Sequence, residues 1–144
     1  MEKELFLINK KKRKELAGEI NKYYGSLFDF GEMFVLYEKN KNEFYIVSRE
    51  VAENISEFDR VNKYGIFMGR KKKNHVFLSV EGCALVGKTA KKVVNITCAE
   101  KDLWFKGFDI ENYNGDGFVI VKNNNDFLGC GRFEDNKILN LAFK

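Results

Sequence analysis

Between Lys10 and Tyr24 the apolar residues fall at Leu16, Ala17, Ile20, Tyr23 and Tyr24, a spacing that lines one stripe of a helix, and Gly25 supplies the stop. Two short aromatic and aliphatic runs follow, Glu32 to Glu38 and Glu43 to Val47. They flank Lys39-Asn40-Lys41-Asn42 and predict a hairpin. Ser48 is placed to cap a second helix carrying Val51, Ala52 and Ile55. Tyr64 to Met68 and His75 to Val80 then predict strands on either side of a basic turn, Gly69 to Asn74.

The rhythm changes after residue 80. A short helix is predicted from Glu81 to Val86, followed by strands at Lys92 to Thr97, Lys101 to Lys106, Phe118 to Lys122, Phe127 to Phe133 and Ile138 to Phe143. Turn-forming runs such as Asn112 to Gly117 and Asn123 to Asp126 separate most of them. Closely spaced short strands with one helix predict a small barrel, so the expected fold class is α+β: an N-terminal α/β unit over residues 1–74 packed on a C-terminal pseudo-barrel over 75–144. No internal repeat or low-complexity linker separates the halves, which predicts tight packing between them.

One stretch raises a competing possibility. Gly82-Cys83-Ala84-Leu85-Val86-Gly87-Lys88-Thr89 fits the G-x-x-x-x-G-K-[ST] pattern of phosphate-binding loops. That chemistry needs an irregular glycine-rich turn whose N–H groups face the phosphates, with a helix behind it. Cys-Ala-Leu-Val favours a helix or a buried run instead, and the β-branched Val93, Val94, Ile96 and Thr97 predict a strand where the motif requires a helix. The stretch therefore reads as a helix-to-strand connection with Gly87 past the helix end.

Composition narrows the classes further. With 44% hydrophobic and 15% aromatic residues in 144, the chain can bury a sizeable core, and its apolar runs are too short for a membrane span or a signal peptide. A soluble, cytoplasmic monomer is expected. Cys83, Cys98 and Cys130 are odd in number and set among apolar residues, which predicts reduced core thiols without a disulfide or metal site. The net charge of +4 is unevenly placed: residues 1–74 hold 16 Lys and Arg against 12 Asp and Glu, whereas the remainder is balanced. Two clusters carry the excess, Lys10 to Lys14 and Arg70 to Lys73, and such runs favour an anionic partner such as nucleic acid.

Candidate catalytic residues are few. His75 is the single histidine, so multi-histidine metal sites are excluded, and its place beside Asn74 and the lysines points to a turn or to an RNA contact. Cys83 could pair with it only as a nucleophile drawn from an apolar run, where a buried inert thiol is the simpler reading. Asp126, Glu134 and Asp135 lie in turn-like segments. No glycine-rich cofactor loop follows a strand, and the expectation is a protein without catalytic residues, cofactor or metal.

The order of features is nonetheless informative. His75 to Val80, a short helix, Ala90-Lys91-Lys92-Val93-Val94, Leu103-Trp104-Phe105-Lys106-Gly107 and Phe127-Leu128-Gly129-Cys130-Gly131-Arg132 together resemble a PUA domain. In the first half, Tyr45 to Ser48, the helix leading to Asn54-Ile55-Ser56, and Gly65 to Arg70 look like the pre-PUA domain of the Nip-seven ribosome-biogenesis factors of archaea and eukaryotes. This resemblance runs from about Lys14 to the end and implies RNA binding in large-subunit rRNA maturation, alongside other ribosome-assembly proteins and away from membranes. A second class, an RNA-modification enzyme or its detached PUA accessory domain, would require a cofactor site. A third is an assembly factor that binds only protein.

The resemblance assigns RNA to the second half, whereas the positive excess lies in the first. A site at their junction satisfies both. It would draw on Arg70, Lys71, Lys72 and Lys73 of the basic turn together with Lys88, Lys91, Lys92, Lys106 and Arg132, holding phosphates by charge while exposed aromatic or polar groups supply any base preference.

Overall fold

Asn9, in extended conformation, accepts a hydrogen bond from the Lys12 N–H at 2.9 Å and so opens helix α1 (Lys10–Tyr24). Gly25 closes it in the left-handed region at φ 61°, as the sequence predicts, and Leu16, Ala17, Ile20 and Tyr24 form the buried stripe. The first turn carries no acid, so Lys10 to Lys14 oppose the helix dipole and do not serve helix stability. The computed structural model describes residues 5–55 and 65–143.

The first sheet is antiparallel throughout and follows chain order: β1 (Leu5–Leu7), β2 (Phe34–Glu38), β3 (Glu43–Val47), β4 (Ile66–Lys71) and β5 (Val76–Leu78). The β2–β3 hairpin lies where its alternation predicts. Helix α2 (Arg49–Glu53) follows Ser48, whose hydroxyl accepts from the Val51 N–H at 3.2 Å. Strand β1 was not foreseen, because three residues give too little periodicity to read. Tyr64, at the start of the expected strand, and Ser56 lie outside the described residues. The expected basic turn is shorter than predicted, since Gly69, Arg70 and Lys71 extend β4 and pair with β5. Gly69 serves packing here: a Cβ would stand 2.3 Å from the Phe77 carbonyl oxygen and 2.9 Å from the Phe44 ring.

Ser79 caps helix α3 (Val80–Val86) by accepting from the Gly82 N–H, and Thr97 caps helix α4 (Cys98–Phe105). The second sheet comprises β6 (Val93–Asn95), β7 (Ile110–Glu111), β8 (Phe118–Asn123), β9 (Asp126–Glu134) and β10 (Lys137–Asn140), in the order β6-β8-β9-β10-β7. It curls into a half-barrel. The β6–β8 pair is parallel and the rest antiparallel. Asp135 and Asn136, both at positive φ (50° and 63°), make the tight turn between β9 and β10.

One element contradicts expectation. Residues 101 to 106, predicted as a strand, belong to α4. The aromatic run Leu103-Trp104-Phe105 suggested β-propensity, but a capping box outweighs it: the Glu100 N–H reaches Thr97 Oγ1 at 3.1 Å, and Glu100 Oε1 accepts from the Thr97 N–H at 2.9 Å.

A continuous core joins the two sheets. Ile20 and Tyr24 of α1, Phe44, Met68, Val76 and Leu78 of the first sheet, and Cys83 and Val86 of α3 pack with Ile120 and Cys130 of the second. The Tyr24 hydroxyl donates to the Val76 carbonyl at 2.7 Å within it. On the other face of β8, Val119 and Val121 enter a separate cluster with Trp104, Ile110, Leu128 and Ile138, as the two-residue alternation of a strand requires. The expected boundary between residues 74 and 75 falls in the β4–β5 connection, so both its strands lie in the first sheet. Cys83 and Cys130 are buried, but Cys98 is exposed at the first position of α4, contrary to the expectation of three core thiols. No helix among the described residues is long and apolar enough to cross a membrane.

Candidate nucleic-acid interface

The β4–β5 turn places a cation beside an imidazole. Lys72 donates its N–H to the His75 carbonyl at 2.8 Å, which closes the hairpin and holds both side chains at the same end of the sheet. In the ladder below, Arg70 pairs with Phe77 and Lys71 with Val76. Val76 and Leu78 point into the core, so Phe77 and Arg70 share the opposite face. On the second sheet Phe118 of β8 stands directly opposite Arg132 of β9, so these too share a face.

The two cross-strand pairs meet. Arg70, Phe77, Phe118 and Arg132 line one cleft of about 280 Å³ with Lys72, His75 and Leu141. Each sheet thus contributes an arginine and a phenylalanine, and the turn contributes a lysine and a histidine. The imidazole of His75 stacks on the Phe118 ring, with centroids 4.2 Å apart and planes 15° from parallel. Tyr23 of α1 packs edge-to-face against Phe118, with ring centroids 5.9 Å apart.

The cations differ in availability. Arg70 Nη2 lies 2.5 Å from Glu43 Oε2, within the β3–β4 register pair. Burial would raise the Glu43 pKa, but hydrogen bonds from Arg70 and Tyr45, together with nearby positive charge, hold it below the ordinary value. Arg132 makes an exposed pair with Glu134 at 3.2 Å, a kind of contact worth little to stability. Lys72 makes no ion pair among the described residues. Burial first, then the positive charges of Lys72 and Arg132, lowers the pKa of His75 and favours its neutral imidazole.

Of the nine cations expected at the junction, Arg70, Lys72 and Arg132 line this cleft. Lys92 is not among the lining residues; its ammonium fills the space beside Gly117, 2.7 Å from where a Cβ there would stand. Lys71 faces the other way and pairs with Glu19 of α1 at 3.3 Å. Lys73 is exposed at the turn tip. Lys88 is exposed after α3, and Lys91 runs past the end of α1, its N–H donating to the Gly25 carbonyl at 3.1 Å. Lys106 caps the far end of α4 and is not among the lining residues. In the N-terminal basic run, Lys10, Arg13 and Lys14 border a separate hollow with Asp29 and Glu32, where carboxylates offset their charge.

Phe77, Phe118 and Leu141 were not foreseen. Alternation along β5 would have found Phe77, since Val76 and Leu78 fix the core face. Phe118 and Leu141 depend on how the sheets meet, which no local pattern carries.

The phosphate-loop pattern adopts the expected connection. Residues 82 to 86 are helical, and a Cβ on Gly87 would meet the Phe127 ring at 2.3 Å and the Cys83 carbonyl oxygen at 2.5 Å. Both close approaches are packing constraints. Burial pushes the Cys83 thiol pKa well up, so it is a poor nucleophile. A scan against protein-family models matches none, and a search of the curated proteins likewise finds no match.

Proposed function

We propose that this chain is a non-catalytic protein that binds single-stranded RNA through the cleft between its two sheets. The cleft carries the proposal: three cations and three aromatic rings from both halves converge on one concave surface. Cations attract phosphates regardless of sequence, and aromatic faces accept unpaired bases, a combination suited to single-stranded nucleic acid. The sequence resemblance favours RNA and casts the halves as a pre-PUA unit and a PUA domain. On that reading the protein serves large-subunit rRNA maturation with other assembly proteins.

Anisotropy titrations of a labelled single-stranded RNA at increasing salt test the binding. Affinity should fall linearly on a log–log scale, by roughly 0.7 per phosphate contact. Charge reversal at Lys72 and Arg132 should flatten the slope. Absence of salt-sensitive binding by the parent protein would overturn the proposal. In cells, crosslinking and sequencing of attached RNA should recover large-subunit rRNA precursors; recovery of unrelated RNA would redirect the biological assignment and leave the binding intact.

A further inference from the structure

Resting on that reading, we infer that the cleft captures one unstacked nucleotide of the strand, its base against the free face of His75 and its phosphate between Lys72 and Arg132. Size is the first constraint. At about 280 Å³ the cleft sits at the lower edge of the roughly 300–1,000 Å³ range of small-ligand pockets, a size that suits a single nucleotide and excludes a duplex. Recognition of RNA through such a recess requires a base splayed out of its stack.

Geometry supplies the platform. Phe118 covers one face of the imidazole and itself packs edge-on against Tyr23, and because His75 lines the cleft a base held there would stack on the opposite face. The imidazole presents a flat aromatic face, the kind of platform on which an unpaired base stacks regardless of sequence. Phe77 and Leu141 supply an apolar lining, which favours an unpaired base over water.

Charge then sorts the cations into two roles. Lys72, without an ion pair among the described residues, and Arg132, held only by its exposed contact with Glu134, can turn to a phosphate. Arg70 is less available, because Glu43 holds one nitrogen of its guanidinium and offsets its charge. Its remaining N–H groups can donate to carbonyl oxygens of a base, which gives the cleft a means of base preference. The phosphate contact would be salt-sensitive and the stacking contact would not.

A short oligouridylate is compared with the same phosphodiester chain lacking its bases, and with free uridine monophosphate, by titration against the parent protein and His75→Ala. The parent should bind the base-bearing strand roughly tenfold or more tightly than the abasic one. His75→Ala should lower the affinity of the base-bearing strand toward the abasic level and leave the salt slope unchanged. The comparison within the parent needs no variant, and Phe118→Leu, which removes the support of the stack, gives an independent second one. Equal affinity of the parent for both strands would overturn nucleotide capture while sparing RNA binding. If neither strand binds in a salt-sensitive manner, the RNA reading itself falls. Free monophosphate binding as tightly as the strand would assign the cleft to a mononucleotide and overturn capture from RNA.

Discussion

His75 and Phe118 come from different sheets, lie 43 positions apart in the chain, and stack with ring centroids 4.2 Å apart. The contact ties the proposed binding surface to the junction of the two sheets, and it makes the state of the imidazole measurable in two opposed ways. Its pKa lies below the ordinary 6.5 because burial and then Lys72 and Arg132 disfavour its charged form. The unfolded chain therefore takes up the proton more readily, and this part of the stability is present above about pH 6.5 and is lost as pH falls toward the lowered pKa. A bound phosphate favours the imidazolium, so RNA affinity should rise over the same interval. Thermal unfolding and RNA titration of the parent and His75→Gln, stepped from neutral to mildly acidic pH, check both signs. A parent that matches His75→Gln in both profiles would show that His75 does not titrate as argued.

The basic turn should divide unequally. Three adjacent lysines look equivalent in sequence, but Lys71 pairs with Glu19 while Lys72 lines the cleft. Lys72→Glu alone should reduce the salt slope by about 0.7, and Lys71→Glu should leave it nearly unchanged. Both variants should retain the parent's stability to within about 0.5 kcal/mol, since exposed charges contribute little. The reverse ranking would place the RNA along the α1 side of the turn.

Much of this fold was legible because local signals agreed with the tertiary arrangement. Gly25 ends α1 where its apolar stripe ends, and Ser48 caps α2 where the sequence places it. The misreading of residues 101 to 106 arose where two local signals conflicted. Trp104 and Phe105 favoured a strand, Thr97 and Glu100 favoured a helix start, and buried Trp104, donating Nε1–H to the Leu128 carbonyl at 2.9 Å, packs equally well from the helix. The site was only half legible for a different reason. Charge density revealed Arg70 and Lys72, and the resemblance brought in Arg132, but Phe118 and Leu141 join them only through the way the sheets meet, which nothing near them in sequence encodes.

The glycines of Gly82 to Thr89 are expected to matter for packing and not for nucleotide. Gly87→Ala would force a Cβ against Phe127 and should cost about 1–3 kcal/mol in chemical denaturation. Lys88→Ala, at an exposed position, should change stability by no more than about 0.5 kcal/mol. Millimolar ATP or GTP should leave the melting temperature of the parent unmoved. A rise in Tm with nucleotide that disappears in Lys88→Ala would revive the phosphate-loop reading.

Asn140 is fully buried at the end of β10, and its side chain joins four backbone groups. Its Nδ2 donates to the carbonyls of Trp104 at 2.8 Å and Phe108 at 3.1 Å, and its Oδ1 accepts from the N–H groups of Ala142 at 3.0 Å and Phe143 at 2.9 Å. The side chain thereby fastens the end of α4 to the segment beyond β10, using both donor and acceptor. Asn140→Asp preserves shape and the acceptor half but turns a carboxylate oxygen toward two carbonyls. The carboxylate is then buried beside acceptors, so its folded-state pKa must rise above the ordinary value for Asp. A raised carboxyl pKa means that the folded state binds the proton more readily, and the variant should regain stability as pH falls and lose it as pH rises. At neutral pH the loss should be about 2–5 kcal/mol, from one buried charge and two unpaired carbonyls. Denaturant unfolding of parent and variant at pH 7 and at pH 5 measures the difference, which should be clearly smaller at pH 5. A deficit independent of pH would mean that the carboxylate has found solvent or a cation, and that the four-way contact at Asn140 is looser than its distances indicate.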